Sequence, residues 1–406
     1  MKYLLFVYIL LSACIASSQI VVIPDSVFKI ALLEHDPVID INEDGEIQFS
    51  EAEAVTLLQL NHKDIVDLTG IEAFLYVTDL NVNGNLLTSV NLSQNTMLLQ
   101  LNLSQNLLTE LSVSQNVLLE ELEIQFNELN AIDISEAINL KQLHASQNFL
   151  TSIDLSNNLE LERLVLNDNS LTQLDLSNQS NLKLLELVAN SITALDLTQS
   201  TPLKVLDLSN NNLSSIDLSN NTDLRAFRMM ANPLISEVDL SNNHNLCQVW
   251  LSHNDALAYI NLQNGNNLAL DATTPCSTTV GTTTSGASLI ENPALEIVCV
   301  DNILFAEEHF DTSYPVDYIE DCQLGLNNYS LATVVLYPNP VASELNVTAT
   351  GIIEEISVYN MLSQKLLSQN VSASEETIDL SQLSSGNYLV NVQTSRGTAV
   401  FRIIKK

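Results

Sequence analysis

Apolar residues in the middle of the chain follow a period that is neither helical nor a plain strand alternation. Leu98, Leu101 and Leu103 precede Asn106, and Leu108, Leu111 and Val113 follow it, giving the frame LxxLxLxxNxLxxLxL. The frame restarts at Val77, Leu119, Leu140, Leu161, Leu182, Leu203, Leu224 and Leu246, with one-residue insertions near Glu237 and Tyr259. Nine asparagines hold its register, Asn85, Asn106, Asn127, Asn148, Asn169, Asn190, Asn211, Asn232 and Asn254, the first eight spaced by 21 residues and the ninth by 22. A degenerate copy around Leu58, Leu60, Ile65 and Leu68 starts the series. The L-x-L half of each unit predicts a short strand with leucines inward. The asparagine falls where the chain must turn, and its amide can bond backbone groups of adjacent units at every identical corner. The second half repeats an L-D-L-S phrase, as at 153–156, 174–177 and 216–219, whose alternation predicts a second strand rather than a helix.

This frame resembles the leucine-rich repeat. The resemblance implies a mainly β solenoid of 21-residue coils. One coil cannot bury its own apolar face, whereas a stack of nine or ten forms a continuous core held by nearest-neighbour contacts. Residues 55–268 are therefore expected as one elongated domain with parallel strands on two faces and little helix.

Ahead of the repeats, residues 1–18 carry Lys2, an apolar run from Tyr3 to Ile15 and the small residues Ala16, Ser17 and Ser18, which reads as a secretory signal peptide. A rival reading makes Leu11 to Cys14 a lipoprotein box with Cys14 acylated. No later stretch is long and apolar enough to span a bilayer. Residues 19–54 form a helical cap, with a helix expected over Asp25 to Asp36 and ended by Pro37. Within it, residues 40–51 read DINEDGEIQFSE and resemble an EF-hand loop. The resemblance implies Ca²⁺ held by Asp40, Asn42, Asp44, the Glu46 carbonyl, Gln48 and Glu51, with Gly45 at the sharp turn. There is one such loop, without a partner, so the ion is expected to clamp the cap against the first coil rather than to open a helix pair.

Past the repeats, residues 333–406 change character. Strand-like runs at 344–347, 356–359, 377–380, 388–392 and 399–404 predict a small β-sandwich. LYPNPV at 336–341, ISVYN at 356–360, IDLSQLSSGNYLV at 378–390 and the basic end Lys405-Lys406 resemble the type A C-terminal sorting domain of the type IX secretion system. Met361-Leu362-Ser363 departs from the glycine that often follows VYN in that family. The resemblance implies recognition by the type IX machinery, outer-membrane translocation, removal of this domain, and release or attachment at the cell surface. Residues 323–332 are expected as the linker cut during export.

Charge divides along the same lines. Residues 19–332 hold 43 acidic and eight basic residues, a net of 35 negative charges, while the tail is nearly balanced. Such a body lacks the basic footprint that nucleic acid or an anionic membrane requires. Behind the signal segment four cysteines remain, Cys247, Cys276, Cys299 and Cys322, and their spacing leaves three pairings open. Similar repeat proteins close their last turns with a disulfide, which implies Cys299 with Cys322 and leaves Cys247 with Cys276. Both would staple a cap over 269–322, with 271–287 an irregular loop.

The exposed columns carry the functional reading. Between the two leucines of each first strand lies an outward residue: Asn81, Asn102, Glu123, His144, Val165, Glu186, Asp207, Arg228, Trp250. This column varies while its surroundings do not, as a binding surface requires. Near its end Phe227, Arg228, Met229, Met230 and Trp250 interrupt a polar background, and Arg and Trp are favoured interface anchors. The alternative places Met229 inside and Trp250 beside the cap. A second column, Asp133, Asp154, Asp175, Asp196, Asp217 and Asp239, reads as a solvated face, with weak cation binding as the other reading. The six histidines are scattered, and no HExxH, GxSxG, phosphate-loop or dinucleotide motif occurs. The chain therefore reads as a non-enzymatic surface protein recognising a protein or glycan. The alternative is a Ca²⁺-bridged structural component without a dedicated ligand.

Overall fold

The computed structural model describes residues 19–272, 275–278, 281–322, 334–360, 364–394 and 397–406. The expected signal segment 1–18, the linker 323–332 and Met361 to Ser363 lie outside these. Two compact units divide at Glu320, one holding the cap and coils and the other the C-terminal sheet.

In the first unit, helix α1 (Ser26–Leu33) is capped by Asp25, whose Oδ1 accepts the N–H groups of Val27 and Phe28 at 2.7 and 3.1 Å. Its Oδ2 accepts from Val66 and Asp67 at 2.8 and 3.0 Å, so one carboxylate joins the cap helix to the first coil. The helix ends at Leu33, short of the expected Asp36, with Glu34 as its C-cap. A second helix, α2 (Phe49–Ala52), closes the acidic loop.

Three-residue strands follow, one per coil: β1 (Leu57–Gln59), β2 (Asp79–Asn81), β3 (Gln100–Asn102), β4 (Glu121–Glu123), β5 (Gln142–His144), β6 (Arg163–Val165), β7 (Leu184–Glu186), β8 (Val205–Asp207) and β9 (Ala226–Arg228). Beyond them come β10 (Glu237–Asp239), β11 (Gln248–Trp250), β12 (Tyr259–Asn261), β13 (Pro275–Thr278), β14 (Gly281–Thr284), β15 (Gly286–Ser288) and β16 (Ile297–Cys299). Helix α3 (Ile303–His309), β17 (Phe310–Asp311) and β18 (Asp317–Ile319) end the unit. Strands β1 to β9, β11, β15 and β17 form one parallel twelve-stranded sheet. Its central residues, from Leu80 to Val249, point inward and are at most 2% exposed.

The asparagine corners close each coil. Asn148 is typical: its Nδ2 donates to the Ala145 carbonyl of its own coil at 3.2 Å and to Ile124 of the preceding coil at 3.0 Å, while its Oδ1 accepts from Leu129 N–H at 3.0 Å. The ladder continues past Asn254 to Asn292, whose Oδ1 accepts from Asn254 N–H at 2.8 Å. A second buried ladder stands on the opposite corner: Asn95, Asn116, Asn158, Gln179, Ser200, Asn221, Asn243 and Asn264 donate to carbonyls of the preceding coil. Immediately before each corner asparagine from Asn106 to Asn254 the backbone is left-handed without glycine, at Gln105, Phe126, Gln147, Asp168, Ala189, Asn210, Ala231 and His253, whereas Gly84 takes that place before Asn85.

The expected second strand face is largely absent. Among the described residues only β10, β12, β16 and β18 pair into a four-stranded sheet, and earlier coils contribute a single bridge between Ser112 and Asp133. The one-residue insertions fall at β10 and β12, so the longer coils have the extra length needed to run extended there. Residues 269–322, expected as a cap, carry two further coils, one with β15 and β16 and one with β17 and β18. The loop expected at 271–287 holds the antiparallel pair β13–β14. At the other end of the sheet, Gln59 N–H on edge strand β1 donates to His35 Nε2 at 3.0 Å. His35 Nδ1 therefore carries the proton and donates to the Pro37 carbonyl at 2.9 Å.

The second unit is one antiparallel sheet of β19 (Val334–Tyr337), β20 (Glu344–Asn360), β21 (Lys365–Asp379), β22 (Gly386–Thr394) and β23 (Gly397–Lys405). The runs expected at 344–347 and 356–359 are two halves of the single strand β20, whose pairing shifts register between Thr348 and Ile353. Asn339 of the LYPNPV segment lies along β23, its Nδ2 donating to the Arg402 carbonyl at 3.1 Å and its Oδ1 accepting from Ile404 N–H at 2.9 Å. An amide side chain there stands in for a strand. No helix among the described residues is long and apolar enough to cross a membrane.

Candidate recognition face and candidate metal loop

The parallel register stacks the variable column in one line, Asn81, Asn102, Glu123, His144, Val165, Glu186, Asp207, Arg228, Trp250, extended by Ser288 and Asp311. Glu123 is exposed, His144, Glu186, Arg228 and Trp250 are half-buried, and Asp207 is buried. Burial, outweighing the neighbouring Glu123 and Glu186, holds the His144 pKa below its ordinary value. Towards the N-terminal end, Gln59, Asp79, Asn81, Gln100, Asn102, Glu121 and Glu123 surround a shallow polar depression. There, burial pushes the Asp79 carboxyl above its ordinary value despite a hydrogen bond from Gln59.

Arg228 is held from three sides. Its Nε donates to Gln248 Oε1 at 2.7 Å, its guanidinium stands 3.6 Å from Asp207 Oδ2, and its Cζ lies 4.9 Å above the centre of the Trp250 ring. A guanidinium over an indole face is attracted by the ring quadrupole, and the planar fork is oriented before any partner arrives. Of the five residues that break the polar background, Phe227 and Met229 point into the core and are fully buried. Strand alternation sends every second side chain inward, which leaves Arg228, Met230 and Trp250 half-buried on the outer side.

The aspartate column stands on the outer side of the coils. Hydrogen bonds from the serine or threonine two residues on hold the carboxyls of Asp133, Asp154, Asp175, Asp196 and Asp217 below their ordinary range. The backbone N–H is the larger cause at the first four and the Ser219 side chain at Asp217. Neighbouring aspartates push Asp154 and Asp196 the other way, and lose.

In the 40–51 loop, Asp40 Oδ2 accepts from Gly45 N–H at 2.9 Å, Asn42 Oδ1 from Asp44 N–H at 2.9 Å and Asp44 Oδ1 from Glu46 N–H at 2.9 Å. Gly45 has a φ of 79°, which only a residue without Cβ adopts freely. Asn42, Asp44 and Gln48 converge, with contacts of 2.9 to 3.2 Å among them. Glu51 is engaged by the N–H groups of Ile41 and Gln48 at 3.0 Å each. Among the described residues no three His, Cys, Asp or Glu side chains are grouped as metal ligands. Here Asn42 Nδ2 donates to Asp44 and Gln48, and Gln48 Nε2 donates to Asp44; with the amides turned to present their oxygens, the same side chains would supply the donor chemistry a hard cation takes. The loop also pairs with the chain's own early segment: Val21 N–H donates to the Ile47 carbonyl at 2.8 Å, Phe49 N–H to Gln19 at 3.0 Å, and Ile20 bridges Gln48.

Cys247 and Cys276 form a disulfide that ties β13 to the residue before β11, and Cys299 and Cys322 are disulfide-bonded as well.

Residues 335–406 match the family described as the secretion system C-terminal sorting domain. The match indicates export by type IX secretion, to the cell surface or the medium. No characterised protein matches the chain in sequence. Among solved structures, similarity is found to the functional domain of InlJ from Listeria monocytogenes, at 19% identity over 94% of this chain and 97% of that one, with a TM-score of 0.39. The internalin InlF of the same organism gives 18%, 73%, 96% and 0.42, and internalin C2 gives 21%, 51%, 93% and 0.39. The body is a solenoid with leucine-rich-repeat coils by its own geometry, on a chain whose sorting domain indicates export to the cell surface or the medium.

Proposed function

We propose that, delivered outside the cell by its sorting domain, the solenoid acts as a non-catalytic recognition module that binds an extracellular partner on its parallel sheet, with Arg228 and Trp250 as anchors. The observation carrying this reading is the pre-set guanidinium: Arg228 is fixed by Gln248, Asp207 and Trp250 at the C-terminal part of the stacked column. Arg and Trp truncations dominate interface energetics because both combine large contact area with oriented polar groups. Ca²⁺ on the 40–51 loop serves as a structural ion, with Asp40, Asn42, Asp44, Gln48, Glu51 and the Glu46 carbonyl as its ligands. It rigidifies the turn against which Gln19 to Val21 are laid.

The test is a binding screen of the full chain against extracellular proteins and glycan arrays, with Ca²⁺ and with chelator. Saturable binding lost in Trp250→Ala and Arg228→Ala, with the fold intact, supports recognition. Self-association that depends on Ca²⁺ and ignores both substitutions, with no ligand found, would replace it with a structural surface role.

A further inference from the structure

Six of the eight basic residues between 19 and 332 sit on five consecutive coils: Lys141, Arg163, Lys183, Lys204, Arg225 and Arg228. Strands β1 to β4 carry none, and bear Asp79, Glu121 and Glu123 instead. In a body with 43 acidic residues this is a segregation of charge onto one stretch of one face.

The residue just before each strand forms a column of its own, Glu120, Lys141, Glu162, Lys183, Lys204, Arg225. Each N–H from Lys141 onward donates to the carbonyl of the column residue one coil earlier, at 2.8 to 2.9 Å. Its members therefore stand one inter-strand spacing apart, about 4.8 Å. From Glu120 to Lys183 the signs alternate, and ion pairs of 2.7 Å join Lys141 to Glu120 and Lys183 to Glu162. Alternation then stops: Lys183, Lys204 and Arg225 are three successive cations with no acid between them. Like charges at that spacing repel unless an anion intervenes. Among the described residues Arg163, Lys204 and Arg225 make no ion pair, and Arg225 Nε is buried without a hydrogen-bond partner. Beside this column Leu184, Val205 and Ala226 pack with Val165 into a small cluster and are at most 5% exposed, so the surface this strip offers is its line of cations. Arg228 and Trp250 lie at its far end.

We infer that this strip binds a linear anionic polysaccharide, carboxylated or sulfated, running along the solenoid axis with its charges against Lys183, Lys204 and Arg225 and a sugar face near Trp250. The inference rests on the recognition reading above and names the ligand class. A thin chain suits the geometry, because the cations form a single line flanked by Glu186 and Asp207. A broad acidic protein surface would meet those carboxylates as well. Carboxylates elsewhere on the body are screened beyond about 8 Å at physiological ionic strength, so the strip governs the contact locally.

The test uses the full chain, with the fluorescence of its one tryptophan, Trp250, and calorimetry as readouts. Probes are an oligogalacturonate, a sulfated oligosaccharide of similar length, a neutral oligosaccharide, and single-stranded DNA as a polyanion without anionic sugars in its repeat. Saturable binding of either anionic oligosaccharide is expected, weakened roughly ten-fold or more by Lys204→Glu and by Lys204→Gln with Arg225→Gln, and unchanged by Lys63→Glu, away from the strip. The arm that binds separates carboxylate from sulfate. Binding that ignores both variants, equal binding of DNA, or no binding of either anionic oligosaccharide would overturn the inference. A different ligand lost in Trp250→Ala but indifferent to Lys204→Glu would leave recognition standing and this ligand class rejected.

Discussion

Replacing Asn211 by alanine removes four hydrogen bonds at one corner of the solenoid. Its Nδ2 donates to the carbonyls of Leu187, Leu208 and Ser209 at 2.8, 3.1 and 3.2 Å, and its Oδ1 accepts from Ile192 N–H at 2.9 Å. The side chain is 3% exposed, so water cannot take over without opening the corner. The orphaned Ile192 N–H costs about 1–3 kcal/mol, and the carbonyls, which keep a second lone pair, add less, giving about 3–5 kcal/mol in all. Because coils touch only their neighbours, the loss is local to the coils of Leu187 and Leu208 before it is global. Urea denaturation of Asn211→Ala, with exposed Asn212→Ala as control, reads the magnitude, and hydrogen exchange reads the location. A shift below about 1 kcal/mol, or one indistinguishable from Asn212→Ala, would show that the ladder is not what binds the coils together.

Three other outcomes are expected. Gly70→Ala places a Cβ 2.9 Å from Ile23 Cγ1 and 3.0 Å from the Val22 carbonyl at a φ of 107°, so the segment before the cap helix should detach, raising its protease sensitivity at a cost of about 1–3 kcal/mol. Ala189→Gly relieves a left-handed alanine at φ 55° and should raise the stability by a few tenths to about 1 kcal/mol, read as a higher denaturation midpoint, the relief exceeding the added freedom of the unfolded chain; a lower midpoint refutes it. Burial alone would raise the Asp25 pKa, but four backbone donors together hold it below its ordinary 3.8. A depressed carboxylate contributes stability above the unfolded pKa and loses it as pH falls through the folded one, so the cap should open to an acid-active protease well below pH 4, and Asp25→Asn should already be open at neutral pH.

Much of the body was legible because one residue type, asparagine, recurs wherever a buried corner must satisfy one backbone donor and two carbonyl acceptors. The second ladder escaped because Asn95, Gln179 and Ser200 perform the same task with different side chains, so no single letter repeats. The left-handed positions escaped for the opposite reason. Phe126, Ala189 and Asp168 carry no glycine signal, and the conformation is imposed by the corner that follows. On the face of the long parallel sheet, alternation alone would have sent Phe227 and Met229 inward, whereas the clamp of Asp207, Gln248 and Trp250 around Arg228 needs the register of three coils. The strand face over the L-D-L-S phrases was overread: alternation of apolar and polar residues describes burial, and pairing further depends on coil length.

His35 has a consequence for assembly. A parallel sheet built from identical steps has no intrinsic stopping point, and a first strand with free donors would template the last strand of another molecule, turning a rod into a fibre. By seating a ring nitrogen against the Gln59 N–H, the cap occupies one of those donors, and with a single side chain makes the stack's beginning unlike its middle. The number of coils is then set by the gene rather than by the concentration of the protein.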